Sequence, residues 1–475
     1  MQNNKIQWYE PQPSILEVCS VCGNAKHNKL VLQVAHWRHD LGMLDVAVCG
    51  DCHSAWFPHI QRYLVPYPDL KIILQDPDFP YYVYHYLEIV GGLDWKISLL
   101  ERLPFQQFNS ILEVGCNAGV MLDYCRTAWS AQTVVGLEPS AYGVIGSRLL
   151  DVPILTKFLS QADELKEKTF DFIYATEVLE HVEQPLVFLQ ELKQHLNPNG
   201  IMLLTTPRAG ALSPSTSVGE LYAALSPGAH YFLLSPEQLQ VLAKQAGFDW
   251  VYIEPFGMTQ MVVLAQQPVE LIGYVPVAQQ VLHYYQQKCQ QPMQDARVQL
   301  GLQLNYYRFA SELGLVPEIS VTRDIECALS NLFDLDLPNA DSWLSKLMQT
   351  NNLVAIGKLM PYSLPYFCYW QAKQLQGKAA ASYWQLSQLM ILQALKVDFQ
   401  NMFVLHNLLM QVQASLQTCE RTNLNPKWLA LTQHLQSSIP ELNAGQLTKQ
   451  PIFSLLSRLK DQAQQVHTRL KRIAI

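Results

Sequence analysis

Charged side chains are scarce in this chain of 475 residues, and those present give no basic excess. Asp, Glu, Lys and Arg make up 15% of the residues, with 33 basic against 40 acidic side chains and a net charge of −7. Nucleic-acid-binding proteins usually carry a basic domain or stripe, so this composition argues against nucleic acid as a partner. With 49% hydrophobic and 10% aromatic residues, the chain has enough apolar surface to fold, which excludes wholesale disorder.

The sequence also lacks long hydrophobic runs. A membrane-spanning helix needs about eighteen or more consecutive apolar residues, and a secretory signal needs a basic start followed by an apolar core. The printed sequence contains neither pattern. We therefore predict a cytoplasmic protein with no membrane span, whose cysteines stay reduced.

Three zones follow one another along the chain, whose length suits two or three domains. Residues 1–80 combine paired cysteines with short alternating runs and several prolines, and end in a linker. Residues 81–268 alternate strand-like apolar runs with helical patterns, which predicts a parallel sheet with crossover helices. Residues 269–475 are rich in glutamine and helix-period segments. This last zone is predicted to be an all-α region.

Two segments of the third zone stand out. Residues 368–395 have the texture of one tetratricopeptide-like hairpin, but no fixed period follows, so we favour a helical bundle over a solenoid. Residues 454–475 carry apolar side chains near one helical face, which predicts an amphipathic helix that packs on the bundle or on a partner.

The first zone contains two Cys-x-x-Cys pairs, Cys19 with Cys22 and Cys49 with Cys52, and 26 residues separate the pairs. Four thiolates at this spacing suit one tetrahedral structural Zn²⁺, and Gly23 suits the tight turn after the first pair. A redox role needs only one pair, and a catalytic zinc keeps an open position. We predict a zinc ribbon. A ribbon that binds nucleic acid should not be acidic, and residues 1–80 hold six basic and eight acidic side chains. We therefore do not expect this ribbon to bind nucleic acid.

The central zone opens with a strand that runs into a turn marked by Gly115, Asn117 and Gly119, followed by an apolar helix. Such a turn brings backbone amides and a helix N-terminus against a cofactor. About twenty residues on, a second strand ends at Glu138, where a carboxylate can accept hydrogen bonds from the ribose hydroxyls of an adenine nucleoside. A dinucleotide oxidoreductase would need Gly-x-Gly-x-x-Gly, but Asn117 and Val120 occupy two of those positions.

From about residue 85 to 265 the chain resembles the class I S-adenosylmethionine-dependent methyltransferases, in particular the quinone-biosynthesis group. The matching segments, in order, are EVGCNAG at 113–119, FD at 170–171, TEVLEHV at 176–182, LNPNG at 196–200, HYFLLSPEQL at 230–239 and AGF at 246–248. The resemblance implies an α/β fold with a Rossmann-like seven-stranded methyltransferase sheet. It also implies S-adenosylmethionine as the cofactor.

The resemblance further implies a set of cofactor-binding residues. These are Glu113, Gly115, Cys116, Asn117, Gly119, Glu138, Phe158, Leu159, Thr176 and Glu177. The glycine turn would line the methionine half, and Glu138 would hold the ribose. By position, we expect Phe158 and Leu159 at the adenine, with Asp163 as a rival. Asn117 replaces a common glycine of the family, but asparagine tolerates left-handed backbone, so binding need not be lost.

A zinc ribbon ahead of such a domain is similar to the arrangement in sugar C-methyltransferases. Those enzymes carry a Tyr-x-Glu-His element where this chain has SPGAH at 226–230, which keeps only the histidine. Because the chain is acidic and its motifs resemble those of family members that act on small molecules, we predict a small-molecule or saccharide acceptor. The alternative is a non-catalytic scaffold on a methyltransferase fold, with the helical region open to a protein partner or to self-association.

Two histidines are candidate catalytic residues. Methyl transfer from a sulfonium depends chiefly on holding the nucleophile close, and a base is needed only where the acceptor is protonated. His230 follows the Ser/Pro/Gly-rich loop 207–228, which is a natural substrate lid. We predict that His230 faces the transferable methyl group as a base or acceptor-orienting group. His181 is the second candidate, and its alternative role is structural.

Overall fold

The computed structural model describes residues 5–65, 69–90, 93–104, 108–274, 277–398, 402–439 and 442. The strands are β1 (Ile6–Trp8), β2 (Ser14–Ile15), β3 (Asn28–Ala35), β4 (Met43–Val48), β5 (Ala55–Trp56), β6 (Ser110–Val114), β7 (Thr133–Leu137), β8 (Ile154–Leu155), β9 (Phe170–Thr176), β10 (Leu196–Pro207), β11 (Phe232–Leu233), β12 (Trp250–Phe256) and β13 (Thr259–Ala265).

The helices are α1 (Leu70–Ile73), α2 (Phe79–His85), α3 (Leu93–Leu100), α4 (Val120–Ala128), α5 (Ala141–Leu150), α6 (Pro185–Gln194), α7 (Val218–Leu225), α8 (Pro236–Gln245), α9 (Ala278–Cys289), α10 (Ala296–Glu312), α11 (Ile319–Phe333), α12 (Asp341–Leu347), α13 (Leu353–Leu359), α14 (Leu364–Gln374), α15 (Gly377–Val397), α16 (His406–Gln417) and α17 (Pro426–Ser437). A π-helical turn, Tyr86–Val90, continues α2. Within the described residues, none of these helices is both long enough and apolar enough to cross a membrane.

Seven strands form the central sheet in the order β12-β13-β10-β9-β6-β7-β8. The strands from β10 to β8 run parallel, and β13 is antiparallel to both of its neighbours. The chain moves from β6 to one side of the sheet and then returns to place β9 on the other side. Ligands of such open sheets bind in the crevice at this reversal, beside the carboxyl ends of the strands. The seven-stranded Rossmann-like prediction is confirmed.

The parallel strands form because their residues are apolar on both faces. In β9, six of the seven residues of FDFIYAT are buried, and four of the five residues of β6 are buried. Helices cover both faces of a parallel sheet, so such strands read as continuous apolar runs rather than as alternating ones. This pattern is what made the central zone recognisable in the sequence.

The N-terminal strands form a second sheet, in the order β1-β3-β4-β5-β11, with β2 paired to β3. Its last strand comes from far along the chain: Phe232 pairs with Trp56, and Leu233 pairs with Ala55. Trp56 and Phe232 also share one hydrophobic cluster with Leu112 of β6. The packing therefore crosses the predicted boundary at residue 80.

The described residues after 277 are helical, as predicted, and the hairpin predicted at 368–395 corresponds to α14 packed on α15. Helix α9 is anchored on α4 by a buried charge. Asp123 accepts hydrogen bonds from Lys288 at 3.1 Å and from the Tyr284 hydroxyl at 2.7 Å. The hydrophobic clusters of the described residues include side chains on both sides of positions 80 and 268. The domain boundaries at these two positions stay a prediction. The amphipathic helix predicted at 454–475 lies outside the described residues.

Asp123 also pairs with Arg126 at 2.8 Å, so Lys288→Met removes one of two cationic partners of this buried carboxylate. We expect the substitution to lower the free energy of unfolding by about 1 to 3 kcal/mol. Lys396→Met is the matched control, since Lys396 is exposed on α15. Chemical denaturation of both variants measures the difference. Equal losses in the two variants would mean that the Asp123 contact does not hold α9 to α4.

Candidate active site

The turn after β6 has left-handed backbone at each of its three marked positions. The φ angles are +72° at Gly115, +50° at Asn117 and +80° at Gly119. A Cβ on Gly115 would lie 2.5 Å from Cγ2 of Val178, so only glycine fits there without a shift. Asparagine is one of the few other residues that adopt this conformation readily, which explains how Asn117 replaces a glycine.

Glu138, at the end of β7, lies directly against this turn. Its Oε2 accepts a hydrogen bond from the Asn117 amide at 3.0 Å, and its Oε1 accepts one from the Ser140 amide at 3.0 Å. The residue is 8% exposed. The structure thus brings the predicted ribose acid and the glycine turn to one edge of the sheet.

The predicted adenine segment adjoins Glu138. The Glu138 amide donates a hydrogen bond at 3.1 Å to the carbonyl of Leu155, the last residue of β8. Phe158 and Leu159 follow shortly after the end of β8. Phe158 is 46% exposed. The rival Asp163 instead forms an exposed ion pair with Lys166 at 2.7 Å. The adenine roles of Phe158 and Leu159 stay a prediction.

Glu113 and Cys116 lie beneath the turn. Glu113 is 2% exposed, and its Oε2 has no hydrogen-bond partner in the described part of the chain. Burial raises the pKa of Glu113 to about 8, and Lys96 acts in the opposite direction. Cys116 is buried and packs over Gly136 of β7. Glu113 therefore presents an unsatisfied carboxyl oxygen close to the turn, where a cationic group would be stabilised.

Lys96 on α3 is a site residue that sequence reasoning missed. It is buried, and its Nζ lies 3.1 Å from the Tyr86 hydroxyl. Burial alone would lower its pKa, but Tyr86 and Glu113 raise the pKa on balance. The signal in the sequence was the position of Lys96 between Trp95 and the largely apolar run ISLL at 97–100. A lysine in such a place is expected to be buried, and buried lysines almost always have a partner.

Thr176 is the last residue of β9, and Glu177 follows it at the carboxyl edge of the sheet. Oε1 of Glu177 accepts hydrogen bonds from the hydroxyls of Thr205 at 2.8 Å and Thr259 at 2.9 Å. Those threonines belong to β10 and β13, on the side of β9 away from β6. The Glu177 carboxylate is therefore not turned toward the glycine turn. The cofactor roles of Thr176 and Glu177 stay predictions.

Three side chains come together just beyond this edge: Glu180, His181 and His230. One ring nitrogen of each histidine and one carboxylate oxygen of Glu180 lie within 4.8 Å of one another. The rings of His181 and His230 are 4.5 Å apart between centroids and nearly perpendicular. His230 and Glu180 are buried, whereas His181 is exposed. The predicted lid beside them is partly helical, because it contains α7.

Backbone carbonyls fix the tautomer of both rings. Nδ1 of His181 lies 3.2 Å from the Ala229 carbonyl, and Nδ1 of His230 lies 2.8 Å from the Ala224 carbonyl. A carbonyl only accepts, so each Nδ1 carries the proton, and in the neutral ring each Nε2 is a lone pair. Burial, assisted by His181, lowers the pKa of His230 to about 3. Although His181 is exposed at one side, partial desolvation of its ring by the surrounding chain also lowers its pKa.

Glu180 completes a cluster of acceptor atoms. Its Oε2 accepts from the Thr206 hydroxyl at 2.9 Å, while its Oε1 has no hydrogen-bond partner among the described residues and lies 3.8 Å from Nε2 of His230. Burial, then the charge of Glu177, raises the pKa of Glu180 well above its usual range. Acceptors that face one another are stabilised by a proton on Glu180 or by a cation between them. Sequence reasoning missed Glu180.

The four paired cysteines also come together, and all are free thiols. The Sγ atoms of Cys19 and Cys52 are 3.8 Å apart, and those of Cys22 and Cys49 are 3.6 Å apart. Zn–S bonds of about 2.3 Å in a tetrahedron place sulfurs about 3.8 Å apart. Gly23 has a φ of +77°, as a tight turn after Cys22 requires. The geometry fits one tetrahedral ion.

Residues 93–253 match the family described as "Methyltransferase domain". This part of the chain is similar to class I S-adenosylmethionine-dependent methyltransferase domains. The chain is 34% identical over 119 residues to a mitochondrial ubiquinone biosynthesis O-methyltransferase of Schizosaccharomyces pombe. The aligned region covers 24% of this chain and 43% of that protein. It is 28% identical over 173 residues to a tRNA U34 carboxymethyltransferase of Pseudoalteromonas atlantica, which covers 35% of this chain and 53% of that protein.

Among solved structures, an O-methyltransferase family protein from Burkholderia thailandensis is 13% identical, with a TM-score of 0.33, over 42% of this chain and 68% of that chain. The chain spans about half the length of the curated relatives described above. The match therefore covers the central domain, and the cysteine ribbon and helical region lie outside the matched residues.

We expect Glu138→Ala to weaken binding of S-adenosylhomocysteine by about 1.5 to 3 kcal/mol, the scale of charge-assisted hydrogen bonds. Glu164→Ala is the matched control, because Glu164 is an exposed acid paired with Lys157. Calorimetry measures both affinities, and thermal unfolding verifies that each variant is folded. Tighter binding of NAD than of S-adenosylhomocysteine by the unaltered protein would contradict the assignment of the cofactor.

Proposed function

We propose that the protein transfers the methyl group of S-adenosylmethionine to a hydroxyl oxygen of a small-molecule acceptor. The observation that carries this proposal is the cluster of Glu180, His181 and His230 beside the glycine turn. The two features are close neighbours, since Gly115 packs against Val178, two residues before Glu180. Such proximity suits a reaction in which the methyl donor and acceptor oxygen must be held in line.

The cluster can assist loss of the hydroxyl proton. Each neutral histidine has a lone pair on Nε2, so both rings can bind a cation without first losing a proton. Two imidazole nitrogens and a carboxylate are also a donor set that divalent transition-metal cations favour. We include such a cation in the proposal, held by Glu180, His181 and His230. When bound, it would lower the pKa of a coordinated hydroxyl.

The donor set also narrows the class of acceptor. Three protein ligands leave coordination positions open, and two neighbouring oxygens of an acceptor could fill them together. We therefore propose an acceptor with adjacent hydroxyl groups, either aromatic or saccharide. The S. pombe relative is named as an O-methyltransferase, which supports an oxygen atom as the methyl acceptor.

Two further parts of the proposal concern partners and location. The tRNA acted on by the P. atlantica relative makes RNA the alternative acceptor. The net charge of −7 favours a small molecule. We keep a cytoplasmic location, and a partner or second copy bound to the helical region, as predictions.

We also propose that the four cysteines hold one structural Zn²⁺. Their sulfur separations and the positive φ of Gly23 support this, and four protein thiolates leave no open position for catalysis.

For the reaction, we expect transfer of radiolabelled methyl groups to members of a panel of aromatic and saccharide vicinal diols. Glu180→Gln and His230→Gln should reduce the rate about a hundredfold or more, the scale of lost acid–base assistance, while binding S-adenosylhomocysteine normally. His434→Gln is the control, since His434 is exposed on α17.

The same assay separates the alternatives. Normal cofactor binding without transfer to any diol or to RNA would favour the scaffold. Transfer to RNA alone would replace the small-molecule acceptor. Full activity of Glu180→Gln would remove the cluster from the mechanism.

For the metal, we expect one equivalent of zinc per chain by elemental analysis, because four thiolates form a closed tetrahedral site. Changing Cys19 and Cys49 together to serine should abolish zinc retention. The control changes Cys327 and Cys419, which lie outside the cluster, to serine. Full zinc content in the Cys19/Cys49 variant would rule out the cysteine site.

A further inference from the structure

The cysteine ribbon and the histidine cluster are joined by one short stretch of chain, residues 226–235, here called the bridging segment. It begins at the end of α7, contains His230 and β11, and ends at the first residue before α8. One side of the bridging segment is bonded to the ribbon. The other side is bonded to the residues that orient the two histidines.

On the ribbon side, the contacts reach the cysteine pair itself. The Ser235 hydroxyl donates to the Cys52 carbonyl at 2.6 Å, and the Ser235 amide donates to Oγ of Ser54 at 3.1 Å. Both serines are buried. Immediately after Ser54, β5 pairs with β11. The bridging segment thus contributes the last strand of the ribbon sheet, β11.

Gly228 makes the closest approach to the ribbon. Its φ is +97°, and a Cβ at this position would lie 2.0 Å from Nε2 of His36. His36 cannot easily move away, because it is fully buried, its Nε2 lies 2.9 Å from the Tyr63 carbonyl, and its Nδ1 accepts from the Arg38 amide at 2.8 Å. The His36 ring therefore forms a fixed wall against which the bridging segment packs.

On the other side, the backbone next to Gly228 holds the cluster. The Ala229 carbonyl lies 3.2 Å from Nδ1 of His181, and the Tyr231 amide donates to the Glu180 carbonyl at 2.8 Å. His230 lies between these two residues. A displacement of Gly228 would therefore shift the backbone contacts of all three members of the cluster.

We infer that the ribbon is a positioning element of the active site, in which His36, acting through Gly228, sets the placement of His230 and the orientation of His181. Catalytic groups must be held within about 0.5 Å of their productive geometry, and supporting contacts usually provide this. His36 is not a catalytic residue, because it contacts the bridging segment and not the cluster. The inference rests on the proposed function for its effect on rate, but not for its effect on structure.

The test uses Gly228→Ala in the full chain, with Gly219→Ala as the matched control. Gly219 lies in α7, and apart from its chain neighbours and the adjacent helix backbone no described atom lies within 4 Å of the position of an added Cβ. Three quantities are measured: affinity for S-adenosylhomocysteine, affinity for Mn²⁺ by electron paramagnetic resonance, and kcat/KM for methyl transfer. Amide hydrogen exchange of peptides that cover residues 177–182 gives a fourth readout, which needs no activity.

We expect Gly228→Ala to bind S-adenosylhomocysteine within twofold of the unaltered protein, to lose Mn²⁺ affinity at least tenfold and to lose kcat/KM about a hundredfold, the scale of a 1 Å misplacement. Exchange in 177–182 should rise. Gly219→Ala should change none of these quantities. Adding His36→Ala to Gly228→Ala removes the obstructing ring, so it should restore part of each loss.

Several outcomes separate this inference from the proposed function. If the unaltered protein neither binds Mn²⁺ nor transfers methyl groups, the proposed function fails, and faster exchange in 177–182 still supports the coupling. If the unaltered protein is active and Gly228→Ala keeps its kcat/KM and exchange rates, the inference fails. Should Gly228→Ala not fold, His36→Ala alone is used, with an increase in 177–182 exchange expected and unchanged exchange overturning the inference.

Discussion

The parallel pairing of β6 with β9 is the constraint on which the rest of the site depends. It sets Leu112 beside Ile173 and Glu113 beside Tyr174, so both strands end at the same edge of the sheet. The glycine turn leaves one strand at this edge, and the segment with Glu180 and His181 leaves the other. Because the two turns emerge side by side, a cofactor on one and an acceptor on the other would share a short path.

Features that rest on local sequence could be predicted. The left-handed turn needs glycine or asparagine at fixed positions, and the cysteine pairs carry their chemistry in their spacing. Glu138 could be found because it ends the strand adjacent to that turn. Each of these signals spans only a few residues, so no knowledge of distant contacts was needed to recognise it.

Features that depend on distant contacts could not be predicted in this way. His230 and His181 are separate candidates in the sequence, 49 residues apart, and the structure brings their rings together through a segment that pairs with the ribbon. Glu180 lies in the matched segment 176–182, but only its contact with Thr206 and its proximity to the two histidines mark it as a site residue. Lys96 is a similar case, because the position of its partner Tyr86 depends on the π-helical turn that precedes α3. The separation into three zones reflects composition, whereas the cores are shared across them.

The pairing of β5 with β11 has a consequence for synthesis of the chain. Trp56 leaves the ribosome 176 residues before its partner Phe232, so this edge of the ribbon sheet has no neighbouring strand while the intervening residues are made. At about 5 to 20 residues per second, the wait is roughly 9 to 35 seconds. Open sheet edges are templates for pairing with other chains. A strand of only two residues exposes few unpaired backbone groups. The shortness of β5 therefore limits wrong pairing during this long interval of synthesis.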